Sequence, residues 1–265
     1  MRVTFGFIGT GNMGGALARA ARRRLEGGQI LLANRTEAKA AALARELGAS
    51  LSTNRAVAGN ADYIVLGVKP QMMAELLAEI GPELNARKDR FVLVSMAAGL
   101  TIADIRRLAG GDYPVLRIMP NTPCSIGEGM VLYTSGVTEA EERVFLDAMA
   151  GAGRFSRIPE ALMDAGSAVA GCGPAFVDLF IEALADGGVA CGLPRAAAME
   201  LAAQMTAGSA RLILESGKHP GELKDAVCSP GGTTIQGVRK LEEAGFRGAV
   251  MDAVIAACEK SGNLK

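Results

Sequence analysis

The 265-residue sequence has no tryptophan, one histidine, three tyrosines and eight phenylalanines. A lone histidine, His219, has no companion set at zinc-ligand spacing, so no metal site is expected. It precedes Pro220 in a loop, where a structural or loop-orienting role is favoured over a general acid. The five cysteines (Cys124, Cys172, Cys191, Cys228 and Cys258) never form a CxxC pair. Odd in number and widely spaced, they suit buried thiols in a reducing cytosol better than a disulfide framework. Neither charge is in excess, with 28 Lys and Arg against 28 Asp and Glu. That balance excludes a polybasic nucleic-acid coat and an acidic disordered tail. No run approaches the ~20 apolar residues of a spanning helix, and the N-terminus reads as a strand rather than a secretory signal. A G-x-S-x-G elbow and a P-loop lysine motif are both missing, so hydrolase and ATPase chemistries lack their residues. What remains is a cytoplasmic protein without a nucleic-acid or membrane partner.

In place of aromatics the chain carries 46 alanines and 34 glycines. Small side chains let helices approach closely but bury little area each, which favours many short contacts and a partner subunit. The length suggests two domains. Residues 1–160 alternate strand-like runs (3–8, 30–33, 63–68, 91–95, 115–119, 130–133 and, more weakly, 154–158) with helical stretches near 13–26, 37–46, 72–79, 102–108 and 139–149. Short apolar strands separated by helices predict a parallel sheet covered on both faces, an α/β dinucleotide-binding domain of Rossmann type. Beyond about residue 164 the strand pattern ends. Val177, Phe180, Ile181 and Leu184 recur at helical spacing, Pro174 and Pro194 suit helix starts, and Val250, Met251, Val254, Ile255 and Cys258 form a last stripe. Residues 161–265 are therefore expected to be an all-α domain. Within it, residues 217–234 read as a loop rich in proline and glycine.

The first strand runs into Gly9-Thr10-Gly11-Asn12-Met13-Gly14, a G-x-G-x-x-G motif in the strand–turn–helix context that it requires. Gly9 permits the turn, Gly11 lets a pyrophosphate approach, and Gly14 lets helix and strand pack closely. At the end of the second strand stands Asn34-Arg35-Thr36, where an NAD-preferring site usually has a carboxylate. Arg35 can neutralise a 2′-phosphate while Asn34 and Thr36 donate hydrogen bonds to it. Thr36 also suits a helix cap, a role compatible with the first. NADPH is thus expected over NADH, with NADP+ as the product. Val68-Lys69-Pro70 and Ala97-Ala98-Gly99 close two further strands at their carboxyl ends, the crevice where ligands of open α/β sheets lie. Lys69 is either a cofactor contact or an ordinary surface lysine.

These motifs together resemble the pyrroline-5-carboxylate reductase family over essentially the whole chain. Gly6-Phe7-Ile8-Gly9-Thr10-Gly11-Asn12-Met13-Gly14, Val68-Lys69-Pro70-Gln71 and Met119-Pro120-Asn121-Thr122-Pro123 match it. The most specific match lies in the helical half: His219-Pro220-Gly221-Glu222-Leu223-Lys224-Asp225, then Ser229-Pro230-Gly231-Gly232-Thr233-Thr234-Ile235 and Gly245-Phe246-Arg247. The resemblance implies a helical domain that dimerises, giving a homodimer or a higher oligomer built from dimers. It implies NADPH-dependent reduction of 1-pyrroline-5-carboxylate to L-proline, by hydride transfer to the imine carbon. Ile8, Asn54 and Asn121 join the residues above as implied cofactor contacts.

The substrate carboxylate is expected on backbone N–H groups of Gly232-Thr233-Thr234, with the Thr234 hydroxyl near the ring nitrogen. Independently of the family, Gly231 and Gly232 would leave amides uncovered as an anion-binding nest. Gly171-Cys172-Gly173 is expected to shape the same pocket, with Cys172 where the family usually has serine. A hydroxyl is a poor sole acid, so Thr234 is expected to orient the nitrogen or relay its proton. Two rivals remain: a reductase of β-hydroxy acids or other imines, and a nonenzymatic NADPH sensor. The β-hydroxy-acid enzymes generally need a lysine that residues 170–174 lack, and a sensor has no use for the Ser229–Thr234 segment.

Overall fold

The apolar runs of the N-terminal half become β1 (Phe5–Ile8), β2 (Ile30–Ala33), β3 (Ser50–Leu51), β4 (Tyr63–Leu66), β5 (Val92–Ser95), β6 (Val115–Met119), β7 (Gly129–Gly136) and β8 (Gly153–Arg157). The structure is a computed structural model that describes residues 3–262. The strands form one sheet in the order β3-β2-β1-β4-β5-β6-β7-β8. Every neighbouring pair is parallel except β6 and β7. The antiparallel pair corrects the expectation of a wholly parallel sheet. Only a short 3-10 turn at Thr122–Ile126 joins β6 to β7, too little chain for the crossover that a parallel pair needs.

The connections carry α1 (Asn12–Arg22), α2 (Glu37–Leu47), α3 (Asn54–Asn60), α4 (Met73–Ala86), α5 (Ile102–Ala109) and α6 (Glu139–Met149). Successive strand residues point to opposite faces, so two cores form. Phe7, Leu32, Val65, Val94 and Leu116 pack with Leu17 of α1 and Phe145 of α6. Ile8, Ile64, Leu66 and Leu93 pack with Val57 of α3 and Leu77 and Ile80 of α4. The sequence pattern missed α3, whose seven residues are too few to show a period; the Thr53 side chain caps it at Ala56 N–H. It also ended α4 early, at residue 79, whereas the helix runs on through Pro82 to Ala86. Burial of Ile80 and Leu84 offsets the hydrogen bond that proline removes.

After β8 come α7 (Met163–Ala170), α8 (Gly173–Ala190), α9 (Arg195–Ser216), α10 (Pro220–Ala226), α11 (Thr233–Glu243) and α12 (Phe246–Gly262). Contacts divide the chain into one unit running through Cys172, with the residues from Ala257 onward, and a second unit, Gly173–Ala256. The first unit therefore extends past residue 160. Arg117 of β6, only 3% exposed, draws in Glu160 at 3.2 Å and Asp164 at 3.9 Å, and Ser261 donates to Asp164. The second unit has a small core of Ala185, Ala198 and Ala202 beside Ile181 and Val189. Alanine and glycine let α8 and α9 approach: a Cβ on Gly188 would lie 3.2 Å from that of Ala198. Large apolar side chains instead face outward, among them Leu179, Leu201, Leu214 and Met251. By length and composition alone, the stretch Glu160–Ala190 is apolar enough to cross a membrane.

Candidate active site

The carboxyl ends of β1, β2 and β4 border a cleft of about 530 Å³. The turn after β1 forms its floor. Gly9 adopts φ +94°, a conformation that side-chain-bearing residues rarely take, and its amide donates to Ala33 O at 2.8 Å. A Cβ on Gly14 would strike the Gly9 carbonyl oxygen, whereas one on Gly11 would meet nothing within 4 Å. The turn is thus tight below and open above, at the N-terminus of α1, whose first turn carries no acidic residue. That is the shape and polarity a pyrophosphate needs. Thr10 lies buried beneath the turn with an unpartnered hydroxyl.

Nine of the expected cofactor contacts line the cleft: Ile8, Gly9, Gly11, Asn34, Arg35, Thr36, Asn54, Val68 and Lys69. Thr36 is the N-cap residue of α2 but makes no side-chain cap bond. Gly67, beside Val68 at the same strand end, also lines it, as do Lys39, Met72, Glu75, Leu76 and Glu79, which the sequence pattern passed over. Lys39 was legible in principle, since it stands in the first turn of α2, just after the loop that carries Arg35. The others needed the sheet order, which sets β4 and α4 beside β1. Among the described residues, Arg35, Lys39 and Lys69 take part in none of the ion pairs found. These cations leave the cleft suited to an anionic ligand. Asn54 Nδ2 donates to Glu79 across the cleft at 2.9 Å.

The other expected cofactor residues lie outside this lining. Asn12 and Met13 open α1, and Pro70 begins a 3-10 turn behind Lys69. Ala97, Ala98 and Gly99 form the turn after β5, where Ala97 N–H donates to the Ser95 hydroxyl. Beyond them Thr101 caps α5 in a capping box with Asp104; the Thr101 hydroxyl and amide, with Arg107, hold the Asp104 carboxyl down to about 2. Asn121 is buried and its side chain is engaged. Its Nδ2 donates to Ala170 O at 2.9 Å, and its Oδ1 accepts Met130 N–H at 3.0 Å. Burial pushes the neighbouring Cys124 thiol up.

In the second unit, Gly231 has φ +70° and Gly232 caps α11 without any side-chain bond. Gly232 N–H is not uncovered as the sequence pattern predicted, because it donates to Ser229 O at 3.0 Å. The unpaired amides are those of the first turn, at Thr233 and Thr234, which no helix can satisfy internally. Of the three amides expected at a carboxylate, Gly232, Thr233 and Thr234, the last two remain free. The segment expected to be a loop contains α10, and His219 caps it by accepting Gly221 N–H on Nδ1 at 3.1 Å. Gly171 and Cys172 both donate their amides to Ser167 O, and Gly173 starts α8.

A family profile described as "Pyrroline-5-carboxylate reductase dimerisation" matches residues 160–264. Another, described as "NADP oxidoreductase coenzyme F420-dependent", matches residues 4–99. Pyrroline-5-carboxylate reductase of Escherichia coli is 43% identical over all of this chain and 99% of that protein. Its Glycine max counterpart is 40% identical over 98% of this chain and 96% of that one. The chain belongs to the pyrroline-5-carboxylate reductase family.

Solved structures agree with this membership. The Plasmodium falciparum pyrroline carboxylate reductase with NADP bound is 34% identical with a TM-score of 0.87, covering 98% of this chain and 97% of that one. The pyrroline-5-carboxylate reductase of Coxiella burnetii superposes with a TM-score of 0.91 at 29% identity, over 100% and 99% of the two chains. In this chain the Gly9–Gly14 turn lies in the first unit and the Ser229–Thr234 segment in the second.

Proposed function

We propose that this protein reduces 1-pyrroline-5-carboxylate to L-proline with NADPH, the final step of proline biosynthesis. Full-length identity to reductases of that name carries the proposal, and the NADP-bound relative supports the cofactor. When bound, NADPH supplies the hydride that reduces the imine carbon. The residues of this chain supply placement and electrostatics. Gly9, Gly11 and the N-terminus of α1 hold the pyrophosphate. Arg35 and Lys39, both on the cleft, neutralise the 2′-phosphate that NADH lacks.

The free amides of Thr233 and Thr234 fix the substrate carboxylate, and the Thr234 hydroxyl orients the ring nitrogen. No strong acid is needed on the protein, because an iminium nitrogen loses its positive charge as the hydride arrives. Thr234 is therefore assigned to positioning rather than proton donation. The outward-facing leucines and methionines of the second unit support a homodimer, or a larger assembly of dimers. They also account for the apolar stretch Glu160–Ala190 without a membrane. Five unpaired thiols suit the cytoplasm.

Mixing the protein with NADPH and 1-pyrroline-5-carboxylate tests the proposal by loss of reduced-nicotinamide absorbance and recovery of proline. Turnover no faster than a protein-free control, with cofactor fully bound, overturns it. A Thr234→Ala variant with normal turnover removes that hydroxyl from the mechanism.

A further inference from the structure

Asn34 stands at the end of β2, beside Arg35 and Thr36, yet its side chain is already engaged with the protein. Its Oδ1 accepts Thr10 N–H at 3.1 Å, and its Nδ2 donates to Thr36 O at 3.0 Å. An amide oxygen only accepts and an amide nitrogen only donates, so the two bonds together fix which way the group faces. The partners belong to different loops. Thr10 lies in the glycine turn that follows β1, and Thr36 immediately precedes α2.

The geometry explains why a side chain is needed there. β1 and β2 pair in parallel up to Ile8 and Ala33, and Gly9 N–H still reaches Ala33 O. Beyond that point the two backbones diverge toward α1 and α2. Asn34 Oδ1 takes the next donor in line, Thr10 N–H, and so extends the ladder by one rung through a side chain. Thr10 has no other polar tie from its own side chain, because its buried hydroxyl is unpartnered.

We propose that Asn34 is a positioning residue that clamps the pyrophosphate turn to the 2′-phosphate loop, so that both anion sites are ordered before the cofactor arrives. The inference rests on the dinucleotide assignment of the cleft. Ordering two loops in advance removes that cost from binding, and it affects any dinucleotide, whether or not it carries a 2′-phosphate. A carboxylate at this position keeps only half of the clamp. It accepts Thr10 N–H but repels Thr36 O, and it sets a negative charge beside the phosphate loop. An asparagine is the side chain of this size that both closes the clamp and leaves a 2′-phosphate unopposed.

Dissociation constants of NADH and NADPH, measured by calorimetry without the imine, test the clamp in N34A and N34D. Melting curves confirm that each variant is folded. N34A is expected to weaken both cofactors by about three- to tenfold, the loss of one net hydrogen bond. N34D, which keeps the Thr10 bond and loses the Thr36 bond, is expected to recover NADH part-way from N34A toward the parent, while NADPH stays weak. N34A that weakens NADPH alone makes Asn34 a direct phosphate ligand and overturns the clamp. N34D that fails to recover NADH overturns it too, and this variant decides the matter if N34A does not fold. Parent protein that binds neither cofactor refutes the cleft assignment instead.

Discussion

Adding one methyl group to the glycine turn at either of two positions is expected to separate folding from binding. In Gly14→Ala the new Cβ meets the Gly9 carbonyl oxygen well inside contact distance. Both atoms belong to backbone, so no rotamer change relieves the clash, and α1 must move away from β1. Overpacking of this kind costs about 1–3 kcal/mol, and a backbone partner puts it at the upper end. For a domain of this size about 3 kcal/mol lowers Tm by roughly 6–12 °C. In Gly11→Ala the Cβ meets nothing within 4 Å, and the residue's φ of −70° suits any side chain. Its stability is expected to stay within about 0.5 kcal/mol of the parent. That methyl instead stands in the cleft where the pyrophosphate approaches, so NADPH affinity should fall by tenfold or more, on the order of 1.4 kcal/mol. Melting curves and NADPH titrations of the two variants read both effects. Parent-like melting of Gly14→Ala refutes the steric argument, and parent-like NADPH binding of Gly11→Ala refutes the placement of the pyrophosphate.

Truncating the cleft cations, as Arg35→Ala and Lys39→Ala, should each raise the KM for NADPH by about tenfold, a charge-assisted bond lost at a wet site. The same variants should change the KM for NADH less than twofold; equal effects on both cofactors would place the 2′-phosphate elsewhere. Acid unfolding should lose a carboxylate contribution at low pH. Arg90, with the Thr138 cap, holds Glu141 down to about 2 from an ordinary 4.5, so its stabilisation is complete above pH 4.5 and disappears as pH falls through 2. Glu141→Gln should flatten that limb in urea titrations run from pH 5 to pH 2. In sedimentation, the parent should move as at least two chains. Leu214→Glu on the outward apolar face should shift it toward single chains, since burying one leucine is worth about 1.5–3 kcal/mol.

Local chemistry in the sequence determined most of the strands, the glycine turn and the cofactor preference. Those features depend on near neighbours: the unbroken buried run of β1, a φ +94° glycine after it, and the missing carboxylate around Arg35. Whole-motif resemblance to the pyrroline-5-carboxylate reductases, rather than periodicity, pointed to the substrate. Tertiary structure decided what depends on elements distant in sequence. The order of strands in the sheet put Glu79 against Asn54, which lie 25 residues apart, and brought Met72 and Leu76 to the same cleft. It engaged the Asn34 side chain with Thr10 and Thr36 and the Asn121 amide with Ala170 and Met130. It also paired Gly232 N–H with Ser229 O, leaving the free amides in the first turn of α11. A sequence states which groups can donate and accept. Only the fold decides which partner reaches each one first, because hydrogen bonding is a competition settled by distances that the chain does not encode locally.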